Sequence, residues 1–469
     1  MMRAIVGAVV VLTGTQLQAC VTRLDPLSPS VSATSGFVGA SGADVAVTAL
    51  HPGWWRLFGN AELDAHVRRA IAANADLRVA VANLDVARAS GRLARSAYLP
   101  ATVIESGAGP ERADRQPSTS SVPKTSYELG VTLAYEIDLF GRLRANTRAM
   151  RADARASAAA HDAVRAAVVS DTVSAYIDYC GAVANQRVVR DQVAGHERGL
   201  ELVSHQLDQG EVSPLEQAQS RTALQRVLAS LPPFEADRQR ALFRLSTLQG
   251  VTPGSGATPR PACTTVPIIS RAIPVSDGAA LIARRPDIRE AEQRLVAATA
   301  RIGVATADLY PRISLGASGG LIAGAYDAIL TPLLTWSFPI QSAARAKIAA
   351  ARGNQAAALA AWDSAILKAL SEVESALADY HAERARARWL ATAAVDSERA
   401  VRAATARFRL GADSYLLVLD SIRTHNDIAL QRATSDARVA QIGVALFRAL
   451  GSGWEASPPD TTARSPAAD

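Results

Sequence analysis

The chain has 469 residues, 49% of them hydrophobic, 20% charged and 5% aromatic, which is the composition of a globular rather than a disordered protein. Only Lys124, Lys347 and Lys368 are lysines, so 47 of the 50 basic residues are arginines; against 44 acidic residues they leave a net charge of +6. The arginines are interspersed with acids, as in Arg284, Arg285, Asp287, Arg289, Glu290, Glu292 and Arg294, so no single-sign patch marks a nucleic-acid surface.

Residues 1–19 read as an export signal. Arg3 precedes an uncharged apolar run over 4–12 that is too short to span a bilayer as a helix. The segment ends in Leu17-Gln18-Ala19-Cys20, which resembles a bacterial lipobox, in which the cysteine is acylated and becomes the new N-terminus. Cys20 is therefore expected to carry diacylglycerol and palmitate, two signals that together anchor stably. Residues 20–59 then form an N-terminal anchor and extended segment. Cys180 and Cys263 are the other two cysteines; far apart in sequence, they carry no geometric information, and whether they pair stays open. No other segment approaches 18 uninterrupted apolar residues, so any membrane crossing must be made by strands.

The chain is internally duplicated. Asn74-Ala75-Asp76-Leu77-Arg78 aligns with Arg285-Pro286-Asp287-Ile288-Arg289, and Pro100 with Pro311, at an offset of 211. Tyr179 aligns with Tyr380 and Gly210 with Gly411 at an offset of 201, a change that a shorter hairpin loop in the second copy accounts for. The repeats cover 60–253 and 277–455, joined by a linker over 254–276 and followed by a tail over 456–469. Each opens with an alanine-rich amphipathic helix (60–97, then 277–308) ended by a proline.

The periodicity then changes to two. Tyr127, Leu129, Val131, Leu133, Tyr135 and Ile137 alternate with small or polar residues, which predicts a strand over 124–137. Weaker alternation predicts strands over 101–109, 312–321 and 331–339, with 110–123 as the loop of the first hairpin. After each hairpin runs an alanine-rich stretch without proline. A continuous helix of about 65 residues there would approach 100 Å at about 1.5 Å per residue. Gly210 and Gly411 mark the turns at which these helices fold back.

Strands of this length with Tyr98, Tyr127, Tyr135, Tyr310, Trp336 and Phe338 near their ends suit the aromatic girdle of an outer-membrane barrel. A soluble antiparallel sheet alternates equally well. Four strands cannot close a membrane barrel, so a barrel would have to be shared between chains, for example three.

Taken together, several stretches resemble the TolC/OprM-type outer-membrane factors, in the lipoprotein branch that serves resistance-nodulation-division (RND) pumps. They are Trp54-Trp55-Arg56-Leu57-Phe58, Ala134-Tyr135-Glu136-Ile137-Asp138-Leu139-Phe140-Gly141-Arg142, Arg284-Arg285-Pro286-Asp287-Ile288 with Ala291-Glu292, Ile302-Gly303, Tyr310-Pro311, Gly411 with Tyr415-Leu416 and Val418-Leu419-Asp420, and Ala449-Leu450-Gly451-Ser452-Gly453-Trp454. The resemblance covers nearly the whole mature chain. It implies a mainly α fold with a membrane β-barrel part: a duplicated helix, β-hairpin and long helix, with a homotrimer sharing a 12-stranded barrel and an α-helical periplasmic tunnel. It implies docking to a periplasmic adaptor and an inner-membrane RND transporter, and a passive exit duct for drugs or other small molecules. Asp420 matches the acidic ring of the family's periplasmic aperture and Leu416, at i−4, its apolar ring; a charged ring is a selectivity device. A second acid found in some members is replaced here by Leu417, while Glu216 lies at the corresponding position of the first copy.

No catalytic chemistry is expected. Gly316-Ala317-Ser318-Gly319-Gly320 fits the nucleophile-elbow pattern, but its serine lies within an alternating strand with no helix after it. There is no phosphate loop and no His-Glu-x-x-His, and the seven histidines lack ligand spacing, so neither metal nor cofactor is expected beyond the lipid on Cys20. Two other readings compete: an outer-membrane factor of a type I protein secretion system, and a periplasmic coiled-coil scaffold without a pore. The lipobox and the Arg-Arg-Pro-Asp-Ile stretch favour efflux.

Overall fold

A computed structural model describes residues 27–31, 36–41, 44–48, 52–110, 125–269, 271–275, 277–322, 325–329 and 340–455. The signal, Cys20, the first hairpin loop, the strand expected over 331–339 with Trp336 and Phe338, and the tail lie outside these residues. By packing, the chain divides into two units. One takes its described residues from 1–30, 82–158 and 290–364, the other from 31–81, 159–289 and 365–469, so each draws on both repeats.

The single opening helix expected in each repeat is in fact two. In the first repeat they are α1 (Ala61–Ala73) and α2 (Ala75–Ser96), broken at Asn74. Asn74 leaves the helical region because its side chain bonds locally, its Oδ1 accepting from the Leu77 amide at 3.1 Å. Continuous periodicity hid this break, since an asparagine interrupts a helix only when its side chain finds such partners. The long helix α3 (Arg142–Asp208) follows the first hairpin, and the return path is α4 (Pro214–Ala229) and α5 (Leu231–Leu248). Pro232 and Pro233, which lack amide donors, fall just after the interruption at Ser230.

The second repeat has α6 (Gly278–Arg284) and α7 (Pro286–Ala307), broken at Arg285 because a residue before proline is driven out of the helical region. It then has α8 (Gln341–Arg409) and an unbroken return helix, α9 (Tyr415–Ala449). Among the described residues, no helix is long and apolar enough to cross a membrane.

The two helix breaks do equivalent work. The Asn74 Nδ2 donates to the Leu248 carbonyl at 2.9 Å, closing the C-terminus of α5. Its counterpart Arg285 donates through Nη1 to the Ala449 carbonyl at 2.7 Å, closing the C-terminus of α9. Gly250 and Gly451, the residues after these ends, both have positive φ, and a Cβ at either would lie 2.6 Å or less from the opposing chain. Arg285 is buried, and its guanidinium also bonds Asp287 at 2.7 Å and Glu372 at 2.8 Å. In the same unit Trp54 stacks on Phe447 at 4.7 Å, and Arg289 lies over the Trp454 ring at 5.1 Å.

Two short strands, β1 (Val45–Val47) and β4 (Ile273–Val275), pair in parallel. The remaining four form one antiparallel sheet: β2 (Ala101–Pro110), β3 (Thr125–Ile137), β5 (Ile313–Ile322) and β6 (Ala325–Ile329), in that spatial order. Three of them match the sequence expectation to within one residue. The return strand of the second hairpin is described over Ala325–Ile329, its register pairing Ile322 with Ala325. Cys180 and Cys263 are disulfide-bonded, with Cα atoms 5.6 Å apart.

Candidate functional site

The sheet is two-faced. Opposed residues share a face, so Leu129, Val131, Leu133, Tyr135 and Ile137 of β3 form one surface with Ile104 of β2 and Ile313 and Leu315 of β5. Gly130, Thr132, Ala134 and Glu136 form the other with Glu105, Ser314 and Gly316. β2 follows the pattern less cleanly, since Val103 falls in the polar row opposite Thr132 and Ser106 in the apolar row opposite Leu129. The apolar surface is uncovered: Leu129 is 53% exposed, and Ile104, Val131, Leu133 and Leu315 are also exposed. A large uncovered apolar face is the mark of an interaction surface rather than of a soluble sheet.

The Glu-Ile-Asp-Leu-Phe-Gly-Arg stretch is the hinge between β3 and α3. Glu136 and Arg142 form a bidentate pair with contacts of 2.6 and 2.8 Å. The Asp138 carboxylate accepts from the amides of Leu143 at 3.0 Å and Arg144 at 2.9 Å, capping the helix start. Gly141, at φ 76°, makes the turn. Phe140 stacks on Tyr310 at 4.6 Å, so an aromatic pair sits where strand gives way to helix. Of the predicted girdle residues, Tyr310 and Tyr135 are exposed and Tyr98 is half-buried; Tyr127 lies in β3. Phe140 was not among the aromatic residues the sequence singled out near strand ends, although its place at the strand end could have flagged it.

The two hairpin tips are built alike. At each, the glycine amide donates to the carbonyl three residues back and the next amide to that five residues before it: Gly210 to Leu207 and Glu211 to Gln206, then Gly411 to Phe408 and Ala412 to Arg407. These are Schellman closures, which need the positive φ found at Gly210 (77°) and Gly411 (68°). After each turn a leucine is exposed, Leu215 in the first copy and Leu416 in the second. In the second tip Tyr415 and Val418 pack inward on Val203 and Ala404, which turns Leu416, Leu417 and Asp420 outward. Behind Tyr415 lies a cavity of about 530 Å³ lined by Gly195, Gly199, Phe408, Val418 and Ile422.

Glu216 is already engaged. Its carboxylate accepts from the Ser213 amide at 2.7 Å and hydroxyl at 3.2 Å, the returning half of a capping box at the start of α4. Glu216→Ala is expected to cost about 0.5–2 kcal/mol locally, read as faster amide exchange over 213–217 with the rest of α4 unchanged. In the second tip an ion pair closes the turn instead: Arg407 holds Asp413 through two hydrogen bonds, which lowers the Asp413 carboxyl pKa from its ordinary value. Among the described residues, no group of His, Cys, Asp and Glu is placed to hold a metal.

The family model described as outer membrane efflux protein matches residues 67–251 and 279–452. The chain belongs to that family. The outer membrane protein OprJ of Pseudomonas aeruginosa is 30% identical over 444 residues, covering 92% of this chain and 91% of OprJ. The pyoverdine export outer membrane protein OpmQ of Pseudomonas putida is 29% identical over 422 residues, covering 87% of this chain and 89% of its own. The solved outer-membrane channel OprN superposes with a TM-score of 0.86 at 29% identity, covering 93% of this chain and all of that one. This member of the outer membrane efflux protein family is thus an outer-membrane efflux channel of the TolC/OprM type, in a family of channels rather than enzymes.

Proposed function

We propose that this efflux protein works as a homotrimer whose chains share one 12-stranded barrel, as the lipid-anchored exit duct of a tripartite pump. The observation that carries the reading is the four-stranded sheet with one uncovered apolar face and, among the described residues, an outer edge on β2 and on β6 that no strand pairs. Unpaired backbone groups are not tolerated against lipid, so a membrane role requires β2 of one chain to meet β6 of the next and the ring to close.

Lipidation at Cys20 fits the reach of the chain. Ser30 is fixed to α8, its amide and hydroxyl both bonded to Asp363 at 3.0 and 2.6 Å. Asp363 lies 22 residues into α8, about 33 Å from its start. The ten residues from Cys20 to Ser30 span at most about 33–36 Å. A lipid on Cys20 can therefore reach the level of the start of α8.

The partners follow from the role. A duct without an energy source needs a periplasmic adaptor and an inner-membrane RND transporter, and small-molecule cargo agrees with the pyoverdine export for which OpmQ is named. In-cell cross-linking followed by purification and mass spectrometry is expected to recover both. Recovery of an ATP-hydrolysing transporter in their place would overturn the efflux assignment.

At the aperture, Leu416 supplies the apolar ring and Asp420 the acidic one, with the first tip contributing Leu215 beside the engaged Glu216. Asp420→Ala removes three charges per trimer. Single-channel conductance in planar bilayers is expected to rise about twofold or more and cation preference to fall; unchanged conductance and selectivity would take Asp420 out of the gate.

A further inference from the structure

In the unit that carries the four-stranded sheet, the helices stand side by side in the order of their strands. α2 runs into β2, α3 leaves β3, α7 runs into β5 and α8 follows β6. Each touches the next. The Thr147 hydroxyl of α3 donates to the Ala94 carbonyl of α2 at 3.3 Å, Arg301 of α7 holds Asp153 of α3 at 2.5 Å, and Gln355 of α8 donates to the Thr299 hydroxyl of α7 at 3.0 Å. Lys347, near the start of α8, reaches Asp308 just past the end of α7 at 2.9 Å. α2 and α8 are therefore the outer helices of this row, as β2 and β6 are the outer strands of the sheet.

Both outer helices carry a second face that nothing in the chain covers. On α2, Leu84 and Ala94 are buried, while Ala82, Val86, Ala89 and Leu93 are exposed, Val86 at 66% and Leu93 at 73%. At about 100° per residue, this stripe lies about 150° around the helix from the buried one, with Asp85, Arg88, Arg92 and Arg95 in the sector between. On α8, Ala344 is buried and Gln355 and Trp362 are half-buried, whereas Ala346, Ala350, Gly353, Ala357, Ala360 and Ser364 are exposed. That track lies about 160° around α8 from its packed face. Both stripes step by alternating four and three residues, the seam pattern of packed helices. They also complement one another in size. α2 presents the branched side chains of Val86 and Leu93, and α8 presents alanines around Gly353, where an added Cβ would meet nothing within 4 Å. An uncovered apolar seam of this kind is an interaction surface.

We infer that α2 of one chain docks along residues 341–364 of α8 in a second copy, with Val86 and Leu93 seated on the small-residue track around Gly353. The inference rests on the homotrimer reading, in which β2 of one chain meets β6 of the next. Continuity with that edge decides the occupant. Four residues separate α2 from β2, and α8 follows β6, so joining the two strand edges brings α2 of one chain alongside α8 of its neighbour. α2 runs toward the sheet and α8 away from it, so the two pack antiparallel. The contact is head-to-tail, with a different face used on each partner, and it closes when the last chain meets the first. The helical wall then has no open seam between chains.

The test uses the full-length chain with the photoreactive residue p-benzoylphenylalanine replacing Leu93 or, as a control on the charged sector, Arg88. Irradiation of the detergent-purified protein is expected to give cross-linked dimers from the Leu93 variant, with the site joined to peptides from 341–364, and none from the Arg88 variant. Native mass spectrometry of the same samples counts the chains. A trimer without that cross-link, or cross-linked within one chain or elsewhere on its neighbour, would overturn the seam and leave the trimer standing; a monomer would overturn both. Irradiation of whole cells that joined Leu93 chiefly to a different protein would assign the face to that partner instead. Gly353→Leu gives an independent readout. Leucine is the better helix former and has open space in the single chain, so helix content is expected to be kept. Recovery as trimer is expected to fall about fivefold or more, because the larger side chain overfills the contact. Asn354→Leu, one residue off the track, is expected to keep wild-type recovery. Equal trimer recovery for Gly353→Leu and wild type would take the track out of the interface.

Discussion

Leu129→Arg is expected to prevent assembly of the channel in the outer membrane while leaving the helical body folded. Leu129 belongs to the uncovered apolar row of β3, with Val131, Leu133 and Tyr135 following at period two. An arginine on the lipid face costs about 2–4 kcal/mol near the bilayer midplane, and a trimer would carry three of them. Thr132→Arg, on the opposite row, is the matched control: the same charge would face the lumen, where it changes ion selectivity rather than assembly. The measurement is the fraction of each variant recovered in the outer membrane as a protease-resistant oligomer. Wild-type recovery of both Leu129→Arg and Val131→Arg would sink the barrel reading and leave the sheet as an exposed soluble one.

The second large effect falls on Arg285. It is a buried guanidinium serving three acceptors: Asp287 at the start of its own helix, Glu372 of α8, and the Ala449 carbonyl at the end of α9. Arg285→Ala removes that donor from all three; because the two carboxylates are 44% and 39% exposed, the loss falls mainly on the buried bond to the Ala449 carbonyl and is about 1–3 kcal/mol. Lysine in the same place keeps the charge but cannot present the planar fork, so Arg285→Lys is expected to recover less than half of the loss. The urea midpoint of the helical signal reads both. A fall of less than about 1 kcal/mol for Arg285→Ala would mean that solvent replaces the donor.

The same cluster sets an acid limit. Burial pushes the Asp287 carboxyl up, but the hydrogen bonds and charge of Arg285 outweigh it and hold it below its ordinary 3.8. A group with a lowered folded-state pKa contributes stability above its unfolded value and loses it as pH falls through the folded one. Acid unfolding is therefore expected to steepen below about pH 4, and Asp287→Asn to flatten that part of the curve. An unchanged pH profile in that variant would assign acid lability elsewhere.

Much of the architecture was legible because it is written in short-range periodicity. The alternation from Tyr127 to Ile137 marks a strand whatever surrounds it, since side chains on a strand point to opposite faces by geometry alone. Long Pro-free, alanine-rich runs become long helices, and a glycine after such a run closes a Schellman turn, as Gly210 and Gly411 do. The duplication could be read in the same way, from residues that recur at a fixed offset, and the paired roles of Asn74 and Arg285 show what the offset preserves: a donor that closes the return helix of its own repeat.

What the sequence could not decide depended on which distant residues meet. Cys180 and Cys263 pair because the linker passes over the middle of α3, and no local pattern encodes that path. The Glu216 carboxylate is a different case: its capping bond onto Ser213, three residues away, competes with any role in the aperture and follows from a local Ser-x-x-Glu pattern. The opening helices break at Asn74 and Arg285 for local reasons, but what those side chains then close, the ends of α5 and α9, lies 174 and 164 residues away. Local pattern thus determined the kinds of element, their order and the two-faced strands, because propensity and periodicity act over a few residues. The tertiary structure alone decided the disulfide and the closing contacts that Asn74 and Arg285 make, because each exists only once long-range packing brings its partner within bonding distance.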